Sequence, residues 1–159
     1  MNLTDYKNTV IAAIRADVDL DAWCKEKFNK GVAVFVGVDE ENPPSEKQAP
    51  CVELFNPGKH TGSGAPVKEY QYGAVCTIFD ESDVSYADPL IYEKAGVDRV
   101  EVFREMIQKI MTSTLPGSAS AGELLVENPP QEVASLFQSG MSFIIIEEHL
   151  CGAGIDPFE

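Results

Sequence analysis

The chain has 159 residues, 44% of them hydrophobic, and a formal net charge of −14. This length and hydrophobic content suit one globular domain with a substantial core. The negative charge argues against tight binding to a nucleic-acid backbone, because such binding needs clustered lysine and arginine. The purely apolar runs are only a few residues long, so we expect neither a membrane-spanning segment nor a secretory signal.

The first part of the chain predicts two helices followed by a buried strand. Thr4 is expected to cap the first helix, whose apolar residues follow at helical spacing. The second, shorter helix is expected to carry Trp23 and to stop at Gly31, because glycine readily adopts the left-handed conformation. The run from Val32 to Val38 is apolar on both faces, which is typical of a buried strand.

A long loop between two strands is the most unusual feature of the sequence. The run Cys51–Phe55 predicts a strand, and Tyr70–Phe79 predicts a longer strand whose alternation indicates one packed face. The intervening residues, Asn56–Glu69, contain three glycines and two prolines. Most hairpin loops have about two to five residues, so a hairpin loop of this length is predicted to be functional.

The second half of the chain predicts one amphipathic helix and the closing strands. Val97–Met111 has apolar residues on one side and charges mainly elsewhere, which is typical of a helix that packs against a core. The small residues at 118–122 are expected to form a linker. Glu123–Glu127 predicts a strand, and Met141–Glu147 predicts another with a stronger pattern.

The cysteines and histidines are scattered along the chain and form no CxxC pair. They are Cys24, Cys51, Cys76, Cys151, His60 and His149. Structural zinc sites usually take their ligands from close sequence pairs, so we expect no metal site. Three of the cysteines fall in predicted helices or strands, which favours buried free thiols and a reducing cytosol.

No arrangement of residues indicates catalysis. A serine, cysteine or threonine nucleophile needs a base beside it, and the sequence places neither histidine near a cysteine. The run from Gly58 to Thr61 contains a lysine but lacks the spacing of a phosphate-binding loop. We therefore expect no catalytic residue and no cofactor. The alternative is a small cytosolic enzyme or ligand-binding domain that uses residues 56–69 as a lid.

Three short runs and the order of the predicted elements carry a family resemblance. The runs are Gly31-Val-Ala-Val-Phe-Val36, Pro43-Pro44 and Ala49-Pro-Cys-Val-Glu-Leu54. Together with the long strand and the amphipathic helix, they resemble the tail terminator proteins of long-tailed bacteriophages, also called minor tail or tail-completion proteins. The likeness spans about Thr4 to Glu148. It implies an α+β fold, with a mixed, mainly antiparallel sheet, helices packed on one face and a long β-hairpin loop.

The resemblance implies a structural role and no enzymatic activity. Residues 1–150 are expected to form one tail-terminator-like domain, and 151–159 a flexible tail. Such proteins form rings, typically hexameric, that cap the head-proximal end of the tail tube, end its polymerisation and present a surface to head-completion or connector proteins. DNA would pass only as non-specific cargo. The protein would be assembled in the host cytoplasm and would reside in the virion tail. A head–tail connector or neck subunit is the alternative of the same class.

The long loop is expected to be a mobile arm that contacts the neighbouring subunit or the tail tube. Ordering a flexible loop costs roughly 1–2 kcal/mol per residue, so a partner must supply the contact area. The candidate contact residues are Lys59, His60, Thr61, Ser63, Val67 and Lys68.

Overall fold

The computed structural model describes residues 2–37, 44–60, 67–84, 90, 93–128 and 135–148; the segment predicted as a flexible tail lies outside them. In the described residues, helices pack on one side of a five-stranded, mainly antiparallel sheet, which confirms the predicted α+β class. The elements are α1 (Leu3–Ala16), α2 (Val18–Phe28), β1 (Ala33–Val36), β2 (Cys51–His60), β3 (Val67–Phe79), β4 (Asp83–Val84), β5 (Glu93–Lys94), α3 (Ala95–Ser113), β6 (Ala119–Glu127) and β7 (Leu136–Glu148).

The large sheet has the strand order β1-β2-β3-β7-β6, so β1 and β6 are its edges. Strand β1 runs parallel to β2, and every other neighbouring pair is antiparallel. The two longest strands, β3 and β7, pair from Val67 opposite Glu148 to Phe79 opposite Leu136. Strands β4 and β5 form a separate small pair that leads into α3.

Short polar side chains fix the ends of α1 and α2. The side chain of Asn2 accepts a hydrogen bond from the backbone N–H of Thr4 at 3.0 Å, so Asn2 is the cap and the prediction of Thr4 was wrong. Asp17 separates the helices and caps α2 by accepting from the backbone N–H of Leu20. Asn29, with φ of 55°, takes the left-handed position that the sequence assigned to Gly31, since asparagine also tolerates this conformation.

The side of the sheet that faces the helices forms the hydrophobic core. The alternate residues of β3 from Tyr70 to Ile78 are all buried there, as their pattern predicted. The ring of Tyr6 meets that of Tyr72 edge-on, with centroids 5.1 Å apart, and its hydroxyl donates a hydrogen bond to the carbonyl of Met111 at 2.7 Å. One tyrosine therefore joins α1, β3 and the last turn of α3.

Helix α3 packs against β3 and β7, and its interior side is the predicted apolar stripe. The first turn of the helix lies so close to the sheet that a Cβ on Gly96 would come within 2.2 Å of the Phe137 ring. The helix extends two residues beyond the predicted range at each end. This difference is small because helix ends depend on local caps more than on the apolar pattern.

The strands of the long hairpin extend into the predicted loop. Strand β2 continues to His60 and β3 begins at Val67, so the predicted boundaries Asn56–Glu69 were wrong. The reason is nonlocal, since β7 pairs with β3 as far as Val67 and supplies backbone partners to this end of the hairpin. A register shift just after Phe55 coincides with Pro57, which has no N–H to give to a strand ladder.

Both edge strands differ from their sequence-based descriptions. Strand β1 is shorter than the buried strand predicted for Val32–Val38, and it is partly exposed because only β2 pairs with it among the described residues. Strand β6 begins at Ala119, so most of the segment predicted as a linker is strand. The strand predicted at Glu123–Glu127 is confirmed as the second half of β6.

Candidate functional site

The predicted contact residues cluster at one end of the hairpin. Four of the six belong to strands at that end, namely Lys59, His60, Val67 and Lys68. The other two, Thr61 and Ser63, lie outside the described residues. The backbone register sets His60 opposite Glu69, and β7 continues the sheet beside them. This end of the hairpin is therefore part of the main sheet.

The edge strand β6 exposes three consecutive apolar residues. The exposed fractions are 39% for Leu124, 53% for Leu125 and 38% for Val126. Among the described residues, β6 pairs with β7 alone, so its other side presents unpaired backbone groups as well. Sequence reasoning identified the strand but missed its position at an edge. An exposed apolar edge strand is prone to pair with another chain, which makes it a candidate interaction surface.

The opposite edge of the sheet also exposes an apolar side chain. Val36 in β1 is 57% exposed. Strands β1, β2 and β7 run in one direction, and β3 and β6 run in the opposite direction. A second sheet placed beside β6 in the same orientation would therefore bring its β1 antiparallel to β6. Antiparallel pairing is a favourable geometry for extending a sheet.

A groove of about 560 Å³ lies on the side of the sheet that faces away from the helices. Its lining residues are Phe55, Gln71, Val75, Leu125, Glu127, Asn128, Gly140, Met141 and Ser142. They come from all four strands from β2 to β6, so no short stretch of sequence contains the groove. A concave surface with apolar walls and a few polar groups is the usual form of a binding site.

Small residues form the floor of this groove. The Phe55 ring covers Gly73, where an added Cβ would lie 2.5 Å from the ring and 2.8 Å from the carbonyl oxygen of Met141. Gly140 and Ser142 of β7 form the floor next to Gly73, because neither has a large side chain. Because residues paired across strands share a face, Phe55 and Leu125 rise on either side of β7. Sequence reasoning missed this close approach, although a lone glycine inside a strand pattern is a signal that could have indicated it.

A buried polar network ties the edge of the groove to α3. The buried hydroxyl of Ser139 lies 2.7 Å from the side-chain oxygen of Asn128 and 3.0 Å from a carboxylate oxygen of Glu101. The buried Arg104 donates to Glu101 at 3.0 and 3.1 Å. Burial by itself would raise the pKa of Glu101, but hydrogen bonds from Arg104 and Ser139 hold that pKa below its ordinary value. Glu101 is therefore ionised at neutral pH and anchors the end of β6.

A second polar cluster fixes α3 to the end of β3. The buried carboxylate of Asp80 accepts hydrogen bonds from the backbone N–H and hydroxyl of Ser82 and forms an ion pair with Arg99 at 2.5 Å. Burial opposes ionisation of Asp80, yet these donors together hold its pKa below the ordinary value. These interactions join the residue that follows β3 to α3, so the cluster has a structural role.

The described thiols and the buried carboxyl on the groove side are poor candidates for chemistry. Burial raises the pKa of Cys24 and Cys51 to about 12 and also raises that of Cys76. Burial likewise raises the pKa of Glu53, which lies on the helix-free face. The thiolate is the nucleophilic form of cysteine, so these three thiols are unreactive at neutral pH.

The described ranges contain no candidate metal site. Their histidine, cysteine and carboxylate side chains form no group of three or more arranged to hold a metal ion. Within the same ranges, no helix has the length and apolar character needed to cross a membrane.

Comparison with protein families and with curated proteins gives no relative. No protein-family model matches the chain, and no curated protein matches it either. The candidate functional surfaces of the described residues are the two open edges of the sheet and the groove between them.

Proposed function

We propose that the chain is a structural subunit of a ring that caps the head-proximal end of a bacteriophage tail tube, ends its polymerisation and offers a surface for head joining. The single observation that carries the proposal is the pair of open, apolar edges at opposite ends of one sheet. Two different complementary surfaces on one subunit give head-to-tail association, which produces a closed ring when the rotation between subunits closes.

The proposed contact joins β6 of one subunit to β1 of the next. Val126 lies opposite Met141, and Val36 lies opposite Leu54, so both valines belong to the face that carries the helices. Adding β1 to β6 would therefore bring apolar side chains together on the same face while pairing free backbone groups. The hairpin end with His60 and Lys68 lies at one end of the strands, where the tube or head protein would dock.

The charge distribution supports passage of DNA without binding. The described strands place Glu53, Glu69 and Glu127 on the helix-free face, and their register puts no lysine or arginine on it. If this face lines the ring, it repels phosphate groups. The net charge of −14 acts in the same direction.

The test measures mass and capping together. The purified chain is examined by light scattering over a wide concentration range, alone and with tubes polymerised from the tail-tube protein of the same genome. A hexamer would weigh about 104 kDa, for six copies of the 17.3 kDa chain. We expect rings at high concentration or on tube ends. Electron microscopy should show a ring at one end of each tube.

A matched pair of variants locates the contact. Val126→Lys puts a charge into the proposed interface and should weaken ring formation by at least about tenfold. Val102→Lys makes the same change at an exposed site on α3 and should leave assembly unchanged. A chain that stays monomeric at every concentration, with tubes that keep growing in its presence, would refute the proposal. Binding to filled heads but not to tubes would favour a neck subunit.

A further inference from the structure

We propose that the groove on the helix-free face binds an extended segment, apolar and basic, of a different protein. The groove is defined by the lining residues given above. This inference does not depend on ring formation, because the groove lies on the face of the sheet and the ring contact uses its edges. The occupant would lie along β7, between a wall that rises from β3 and a wall that rises from β6.

The dimensions of the groove fit a single extended chain. Strands β3 and β6 are two strand spacings apart, and each spacing is about 4.8 Å. The two walls therefore rise from strands about 10 Å apart, with β7 midway between them. One wall consists of the Phe55 ring and Val75, the other of Leu125, and the floor of Gly140 and Ser142. Alternate side chains of an extended segment can therefore reach both walls.

Charge decides the chemistry of the occupant. Among the described residues that line the groove, Glu127 is the one charged side chain, and it is exposed. Asn128 and Gln71 add polar groups near its ends. A carboxylate at the rim of an apolar groove favours lysine or arginine beside the apolar anchors. A second copy of this chain is disfavoured because its net charge of −14 would oppose Glu127.

The probe is an acetylated synthetic peptide, Lys-Val-Lys-Phe-Lys-Val-Lys-amide, with a matched peptide in which glutamate replaces every lysine. Amide chemical shifts are followed in the isotope-labelled full chain, and affinity is measured by fluorescence anisotropy. We expect shifts confined to the groove, at Val75, Leu125, Gly140 and Ser142, with the lysine peptide. The glutamate peptide should bind at least about tenfold more weakly, because it meets Glu127 with like charge.

Two pairs of variants test the groove itself. Ser142→Trp fills the floor, whereas Ser120→Trp makes the same change at an exposed position of β6 outside the groove. Glu127→Lys reverses the rim charge, whereas Glu123→Lys reverses an exposed charge on the same strand. The first member of each pair should weaken binding about tenfold or more, and the second should leave it unchanged. If Ser142→Trp does not fold, the charge pair decides.

Four outcomes would overturn the inference. Two concern the peptides: equal binding of both peptides, and no binding at millimolar peptide. The third is a set of chemical-shift changes centred away from the groove. The fourth is equal affinity of the groove variant and its matched control for the lysine peptide. Concentration-dependent shifts at the groove without peptide would instead assign it to a second copy of this chain. Failure of ring assembly would leave these measurements unaffected, since they report binding at the groove face and not association through the sheet edges.

Discussion

Replacing Gly73 with alanine tests how the groove face is built. Alanine would by itself favour the strand by about 0.5–1 kcal/mol, because glycine loses more backbone freedom on folding. The added Cβ, however, would lie 2.5 Å from the Phe55 ring and 2.8 Å from the carbonyl oxygen of Met141. The half-buried ring can turn aside, but the carbonyl belongs to the paired backbone of β7. Overpacking typically costs about 1–3 kcal/mol, so we expect Gly73→Ala to lower the free energy of unfolding by about 1 kcal/mol or more.

Urea unfolding followed by circular dichroism measures this loss. Gly117→Ala is the matched control, since a Cβ there has no atom within 4 Å, and it should be neutral or slightly stabilising. Combining Gly73→Ala with Phe55→Leu should recover part of the loss, because the smaller side chain removes one of the two clashes. A Gly73→Ala variant as stable as the wild type would refute this account of the close approach.

Two further changes probe the joints between helices and sheet. Tyr6→Phe removes one of two donors to the Met111 carbonyl, since the Thr114 hydroxyl also donates to it at 2.9 Å. The loss of this one hydrogen bond should lower the free energy of unfolding by about 0.5–1.5 kcal/mol; an unchanged urea midpoint would contradict this. Asp80→Asn should destabilise the protein at neutral pH, where the carboxylate is ionised and paired with Arg99. Since the folded pKa of Asp80 is lowered, the stability difference from wild type should be full above the unfolded pKa of about 4 and should shrink as the pH falls through the folded value. A difference that stays constant between neutral pH and acid would exclude Asp80 as the titrating group.

Local patterns predicted the elements, and nonlocal pairing explains most of the errors. The alternation of Tyr70–Phe79 and the spacing of Val97–Met111 are properties of short windows, so the sequence gives them directly. The hairpin ends were wrong because they depend on β7, which follows much later in the chain. The exposure of Leu124–Val126 could not be read from composition, since a central strand and an apolar edge strand look alike.

The groove was beyond sequence reasoning for the same reason. Phe55 and Leu125 form its opposite walls only because β3 and β7 lie between β2 and β6. The cap of α1 was predicted wrongly because two nearby residues compete for this role. Asn2, and not Thr4, supplies the oxygen that accepts the hydrogen bond. Asparagine and threonine can both cap a helix. The path of the backbone, which the local sequence does not reveal, decides which of two nearby residues does so.

The place of β7 in the sheet has a consequence for synthesis of the chain. Strand β7 lies between β3 and β6, yet all other described helices and strands precede it along the sequence. While the ribosome is still making β7, β3 and β6 have no partner on their inner sides, and the finished sheet cannot close. Nascent chains therefore carry two more unpaired strand borders than the mature subunit. The inner borders of β3 and β6 are therefore covered only once β7 has emerged and paired with both strands.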